Sequence, residues 1–485
     1  MYTIQRQVVG YRNRIVMLGV AAVFGVSLLG SPAQAAPGEK AWYDSFWPLG
    51  QRTGVVKLNK EYVRFKGKGD IPERPALLFE GGDAFLGVGN LYEGFEVPLT
   101  GAIWQPRLWA YMINRTALQT FDNATPGRIR DTEIVNRMDL FVNLQLTGTE
   151  KILLAFRPTD NNEPGRFTKY AFEGADDRFK NEFNLDLEAF FFEGDIGSLF
   201  PKIDIAGIKP IDFGFTIGRQ SIVFQEGILI SDTVDMFGLV RNNLTLKGYS
   251  NLRISGMYAW NRLDRDGRAS DADPDMFGLF TAIDGHVSTF NIDMIYVNDS
   301  DADGAYLGLA AIQRIKGIST AFRLNGSLAL DNQTVGDGVL LSAEISHSVP
   351  GSDDIMYINP FAGIGNFTKA GREAISGGPL GSLGIMFASP NLSLYGAEIN
   401  PFTNDVVGFA MGYQAFWDDH KRNMILEFAN KIDYDGRGFD SFGVGFQVQQ
   451  KVNQYVQVSF ESFYAVNTEG RDDATGARFE VQIVY

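Results

Sequence analysis

Residues 478–485, the last eight of the chain, place apolar side chains at Phe479, Val481, Ile483 and Tyr485 and polar ones at Arg478, Glu480 and Gln482. A period of two is a strand with one oily face and one wet face. Taken alone, such a strand fits the edge of any sheet. Its repetition along the chain is what constrains the fold. Met138, Leu140, Val142, Leu144 and Leu146 alternate with Arg137, Asp139, Asn143 and Gln145. Phe183, Leu185, Leu187, Ala189 and Phe191 alternate with Asn184, Asp186 and Glu188. Phe290, Ile292, Met294 and Tyr296 stand against Asn291 and Asp293, and Phe322, Leu324 and Leu328 against Arg323, Asn325 and Ser327. Phe442, Val444, Phe446 and Val448 share one face of a further stretch, and Val456, Val458 and Phe460 of the next.

The connections between these stretches carry a second regularity. In a transmembrane barrel, short turns on one side alternate with longer loops on the other. Counted back from Tyr485, residues 467–477 read as a loop, 450–452 as a turn, 432–437 as a loop and 417–420 as a turn. Residues 400–404 then read as a loop, 389–390 as a turn, 364–379 as a long loop and 350–353 as a turn. The parity continues to a turn at 148–149, with 220–236 and 157–181 as loops and 195–210 as a longer inner connection. The reading gives about 20 candidate strands, or 18 if one hairpin is a loop. The expected fold is all-β: an antiparallel up-and-down transmembrane barrel of about 18 strands over residues 101–485. Trp104, Trp109, Trp260 and Trp417 fall near strand ends, where interfacial aromatics sit.

The front of the chain agrees. Arg6, Arg12 and Arg14 precede the short apolar stretch 15–29, and Ala33-Gln34-Ala35 has the small-x-small form of a signal-peptidase site. Residues 1–35 are therefore expected to be a signal peptide, and residues 36–100 an irregular lead segment in the periplasm or the lumen. No other run approaches the roughly 20 apolar residues a spanning helix requires. A membrane-resident form is thus a closed barrel, which satisfies its backbone without helices.

Composition excludes some chemistry. There is no cysteine, hence no disulfide framework, thiolate metal site or c-type haem attachment in this chain. Removing the three leader arginines from a formal charge of −15 leaves −18, which argues against nucleic-acid partners. The three histidines, His286, His347 and His420, fall in or near expected turns. Asp353-Asp354 and Asp418-Asp419-His420 resemble the acid pairs of outer-membrane proteases of the omptin type, but the parity puts them at the wrong rim. The chain is read as a non-enzyme.

The aromatic ending at Tyr485 resembles the terminal signal of outer-membrane barrels. On that resemblance Phe479, Val481, Ile483 and Tyr485 address the barrel-assembly machinery, and the surroundings are outer-membrane lipid and lipopolysaccharide. A second stretch, Ile217-Gly218-Arg219-Gln220 followed by Gly227-Ile228-Leu229-Ile230 and Arg241, resembles the alginate-export outer-membrane proteins. The resemblance implies an 18-stranded barrel with an Arg-rich lumen that conducts an anionic polysaccharide. This sequence departs from it in mixing acids with bases on its wet faces.

If apolar faces meet lipid, the pore-lining set includes Arg107, Arg137, Arg241, Arg253 and Arg323, opposed by Asp139, Asp293 and Glu344. Opposed charges at a constriction orient polar solutes; the alternative is that they pair and hold strands in register. Asp299, Asp301 and Asp303 have the D-x-D-x-D-G form that wraps calcium with oxygen ligands, without the acidic twelfth position of a complete loop. They are carried as a candidate outer-loop Ca²⁺ site, against a solvated acidic loop. The expected function is passive diffusion of small hydrophilic solutes, anionic ones included, across the outer membrane. A polysaccharide channel of the alginate kind, a sheath for a partner such as an electron-transfer cytochrome, and an outer-membrane hydrolase are the rivals.

Overall fold

The computed structural model describes residues 77–82, 93–123, 130–161, 167–174, 178–203, 211–265, 274–299, 303–330, 335–371, 378–388, 392–396 and 399–485. The signal-peptide reading and most of the lead segment lie outside these residues. The chain divides into two units. In the first, residues 1–74 and 349–353, only the turn Val349–Asp353 is described; the Ser352 N–H donates to the Val349 carbonyl there. Everything below concerns the second unit, residues 75–348 and 354–485.

Its main elements are β1 (Arg107–Asp122), β2 (Asp131–Gln145), β3 (Lys151–Phe156), β4 (Leu187–Asp195), β5 (Phe213–Phe224), β6 (Ile230–Leu244), β7 (Asn251–Asn261), β8 (Asp275–Asp284) and β9 (Ser288–Asn298). The series continues with β10 (Gly304–Ile315), β11 (Ile318–Ala329), β12 (Gly338–Ser348), β13 (Ile355–Phe367), β14 (Val406–Trp417), β15 (Arg422–Asp433), β16 (Ser441–Lys451), β17 (Val456–Asn467) and β18 (Ala474–Val484). Each pairs antiparallel with the next, and β18 returns to β1 through a register running from Thr475↔Asp122 to Val484↔Ile113. The result is a closed antiparallel barrel of 18 strands. Closure pairs the strands round the full ring, which is what a lipid environment demands.

The alternation sorts side chains between two faces. Leu118, Ile134, Phe237, Leu279, Met294, Leu426 and Phe479 are exposed, whereas Ala117, Val135, Met236, Phe280, Asp293, Glu427 and Arg478 beside them are buried. The exposed face is an apolar band and the buried face carries the charges, the reverse of a water-soluble sheet. A slip of one residue in any strand would turn these charges outward, and a basic side chain at the bilayer midplane costs about 2–4 kcal/mol.

Two strands are interrupted. Thr168–Glu173 continues the line of β3 along β2, opposite Thr132 to Asn136. Phe179–Lys180 pairs with that continuation before β4 begins. The segment 157–181, expected as one outer loop, therefore contributes to the wall. A short helix, α1 (Ile196–Leu199), follows β4, with the Asp195 carboxylate accepting the Ser198 N–H at 2.8 Å.

The largest departure from the expected strand order lies between β13 and β14. Residues 378–388 and 392–396 form no strands; they fold into the barrel. Leu380, Leu383, Met386 and Phe387 are wholly buried and share an apolar cluster with Phe361, Val406, Ala410 and Ala429 of the wall. That is why 18 strands stand where about 20 were expected. The loop after β5 also turns inward: Ile228 joins the same cluster, and the Ala370 N–H donates to the Leu229 carbonyl at 2.9 Å. β5 and β6 lie about ten strands round the ring from β15 and β16, so the two inward segments meet across the interior.

The seam holds one further feature. β18 pairs with β1 down to the reciprocal bonds between Tyr485 and Met112, 2.9 and 2.7 Å. It does not reach Trp104, which pairs instead with Phe95 in a separate two-residue ladder. Below Met112 the same edge of β1 is taken by Phe79–Gly81, with Phe79↔Ala110, Glu80↔Trp109 and Gly81↔Leu108.

Candidate functional site

The interior offers two charged walls with the inward segments between them. On the first wall, β7, β9, β11 and β12 bring together four of the residues expected to line a pore: Arg253, Asp293, Arg323 and Glu344. Two adjoining cavities of about 540 and 550 Å³ share Glu226 and Arg323. Arg323 is 3% exposed and bonds Glu344 through Nη1 at 2.5 Å, with Glu226 at 3.7 Å from Nη2. The Asp293 carboxylate accepts from Gln225 Nε2 at 2.5 Å. Arg253 is exposed within the cavity, beside Asp293 and Asn291, and among the described residues no acid lies within ion-pair distance of it.

The opposite wall comprises β16, β17, β18, β1 and β2. Arg115 forks onto Glu480 at 2.6 and 2.9 Å. Arg478 holds Glu461 at 2.9 Å and lies over the Tyr395 ring at 4.7 Å. Gln447 adds a bond to Glu461 at 2.8 Å. A cavity of about 290 Å³ runs along these groups and the inward segment at Ile385 and Met386. Farther round, Asp139 accepts from both Arg137 and Arg157, each at 2.9 Å. Most charges here are matched in fork geometry, which fixes the wall and leaves little net field. Arg107 lies at the short-turn end, over the Trp109 ring at 5.5 Å.

The inward segment is pinned to the wall by charge. Glu427 of β15 accepts the Ile385 and Met386 N–H groups at 2.8 and 2.7 Å, and the Tyr357 hydroxyl from β13. Lys431 donates to the carbonyls of Asn400 and Phe402 at 2.7 and 3.0 Å. Gln119 of β1 donates to the Leu392 carbonyl at 3.1 Å, and Arg265 to that of Ala370 at 2.7 Å. Glycines make room. A Cβ at Gly443 or Gly445 would meet the tip of Met386, and one at Gly476 the rings of Phe463 and Tyr395. Buried carbonyls and N–H groups of an irregular segment need such partners, because an unmet one costs about 1–3 kcal/mol.

The arginines of the stretch that resembled alginate exporters point the other way. Arg241 shares the face of Phe237 and Leu239, lies 4.9 Å over the Phe213 ring and donates to the Asp212 carbonyl. It is not on the pore side. Its height near the strand end lets the guanidinium reach the interface while its stem stays with the apolar face. Arg219 shares the face of Ile217 and Phe237 and is held by Asp235 at 2.8 and 3.0 Å. Gly227 to Leu229 of the same stretch form the inward loop, so the loop expected over 220–236 shrinks to the few residues between β5 and β6.

Of the candidate calcium residues, Asp301 lies outside the described residues. Asp303 Oδ1 accepts the Asp299 N–H at 2.7 Å, and Asp299 faces Arg265 at 3.9 Å. Among the described residues no group of three or more acidic, histidine or cysteine side chains is disposed to hold a metal ion. At the closing strand, Phe479 and Tyr485 are exposed on the apolar band, Val481 and Ile483 share their face, and Tyr485 stacks on Tyr455 at 5.8 Å.

Arg115, Arg478, Lys431 and Gln225 were not among the expected site residues. The first two stand at the parity of Gln119 and Glu480, so the alternation already carried them. Nothing local marks Gln225, which acts from the inward loop.

An 18-stranded closed barrel with an apolar exterior, a charged interior and inward loops is the fold of the porin class. No protein-family model matches the sequence, and no curated protein matches it. Solved structures do share the fold. The chain is similar to Acinetobacter baumannii OccAB3, at 12% identity and a TM-score of 0.52 over 78% of this chain and 99% of that one. It is similar to a BenF-like porin from Pseudomonas fluorescens Pf-5, at 10% identity and 0.53 over 78% and 98%. Pseudomonas aeruginosa OccK2 (OpdF) follows at 12% identity and 0.51 over 78% and 97%.

Proposed function

We propose that this chain is an outer-membrane channel that lets small hydrophilic solutes diffuse down their gradients. One observation carries the reading: a closed barrel with an apolar outer band has a polar interior narrowed by two inward loops, with cavities left along two charged walls. The fold shared with a protein named a porin supports it. On this reading the short-turn end, where Tyr485 ends, faces the periplasm, and the connections between β5 and β6 and between β13 and β14 enter from outside.

The crowded interior favours small solutes over a wide polymer. Arg253 supplies the first wall with an exposed cation that, among the described residues, forms no ion pair, so a solute carrying a carboxylate would be drawn along it. The exposed apolar side chains of β18 and its aromatic end are the part offered to lipid and to the assembly machinery.

Purified protein in a planar bilayer tests the reading. Discrete conductance steps are expected, with a reversal potential under a salt gradient that moves when lumen charges are changed. A barrel that inserts but passes no ions would sink the proposal.

A further inference from the structure

The rim at the long-loop end holds a cavity that the diffusion path does not require. It has a volume of about 400 Å³ and lies at the ends of β13, β14 and β15, closed by residues 400–405 and by the loop 435–439. Its charged groups are already committed to partners. Asp433 accepts the N–H groups of Gly436 and Gly438 at 2.6 and 3.0 Å, which folds the loop after β15. Asp405 accepts the Gly365 N–H at 2.8 Å and the Tyr434 hydroxyl at 3.1 Å. Burial, followed by the Asp405 carboxylate, raises the Tyr434 hydroxyl above the ordinary phenol range, so it remains a donor at working pH. Arg437 is paired with Asp435 at 3.2 Å, and Lys431 holds two backbone carbonyls.

What remains uncommitted is of another kind. Asn366 and Asn404 are direct cross-strand partners, both exposed, and among the described residues neither carboxamide makes a hydrogen bond. Phe402 beside them exposes 41% of its surface and lines the cavity. Phe439 completes the lining, with Arg471 at 4.1 Å over its ring. A carboxamide offers two donors and an acceptor in one plane, suited to neighbouring hydroxyls. An exposed ring rewards a ligand with an apolar C–H face. Aromatic rings with uncommitted amides, and charged groups already committed to hydrogen bonds or an ion pair, favour a neutral ligand rich in hydroxyls over an ionic one.

We propose that this rim cavity is a binding site for a neutral saccharide, with Phe402 as the platform and Asn366 and Asn404 as the hydroxyl-reading pair. It goes beyond the channel reading and does not depend on it. The test is calorimetric titration of the detergent-solubilised full chain with maltotriose, cellotriose and chitotriose, and with benzoate as a planar anion. Saturable binding of at least one trisaccharide is expected. Phe402→Ala and the pair Asn366→Leu with Asn404→Leu should each weaken it roughly tenfold, while the heat-modifiable gel shift of the folded barrel stays unchanged. The proposal is overturned if no trisaccharide binds, if Phe402→Ala binds as the native chain does, or if benzoate displaces the sugar. Binding in detergent is independent of conduction, so a chain that conducts without binding sinks this site alone, and one that binds without conducting sinks the channel alone.

Discussion

The Glu427 carboxylate, on the barrel wall, accepts the backbone N–H of Met386 at 2.7 Å across a sequence separation of 41 residues. With the Ile385 N–H and the Tyr357 hydroxyl on the same carboxylate, it fixes the height at which the inward segment crosses the lumen. Glu427→Gln retains the size but takes the charge from Oε1, which both N–H groups share, and sets an amide N–H₂ where Oε2 accepts from the Tyr357 hydroxyl, a loss worth about 1–3 kcal/mol. Single-channel traces of that variant should show rapid flicker and a larger mean conductance. A trace like that of the native chain would mean that the glycine seat, Lys431 and Gln119 hold the segment without Glu427.

Arg253 and Arg323 should separate by the company they keep. Neutralising both should move the reversal potential toward cation selectivity. Arg253→Gln alone should do so too, and more strongly at low salt, where screening is weak. Arg323→Gln paired with Glu344→Gln removes an ion pair without changing the net charge and should leave selectivity close to native. A large shift in the double variant would show that the Arg323–Glu344 pair itself shapes the permeation field.

Gly218 has a φ of +123°, and a Cβ there would sit 2.2 Å from the Phe190 carbonyl oxygen and 2.9 Å from the Phe191 Cα. Those neighbours are backbone and cannot swing aside. Gly218→Ala should therefore cost about 1–3 kcal/mol and lower the temperature at which the folded band is lost on gels. Gly248, with φ +88° but nothing near its Cβ position, is the control: its alanine variant should lose less.

Deleting Tyr485 removes both bonds to Met112 and the stack on Tyr455. The yield of folded barrel in outer-membrane fractions should fall, with a smaller effect for Tyr485→Phe, which keeps the ring and the backbone bonds. Equal yields for deletion and native chain would show that closure needs only the pairs up to Val484.

The strands were legible where period-two alternation ran unbroken, as over β9, β11, β16 and β17, and the closing strand was read from its own eight residues. The inward segment was not, and the reason is physical. Leu380, Ile385 to Phe387 and Leu392 to Tyr395 are apolar runs bounded by turn residues, which local pattern cannot tell from strands. Only tertiary facts separate them: Gly443 and Gly445 leave a gap on the wall, and Glu427, far along the chain, supplies an acceptor. Arg241 misled for a related reason. Charge at a strand position suggests the wet face, but near a strand end a guanidinium can serve the apolar face from the interface. The partners of Arg115 and Arg478 were hidden as well, because pairs across neighbouring strands depend on a register that sequence does not print.

The seam has a consequence for how the polypeptide could be rewired. Val484 stands opposite Ile113, Tyr485 bonds Met112, and Phe79 stands opposite Ala110, with Phe79–Gly81 running in the same direction as β18. Carboxyl end and early segment thus lie head to tail along one edge of one strand, with a gap at the level of Tyr111. A chain joined there by a short linker and reopened at one of the short turns would keep every barrel pairing while its sequence began elsewhere. In the ring's own terms, β18 and Phe79–Gly81 are two parts of one strand, divided by the order in which the chain is made.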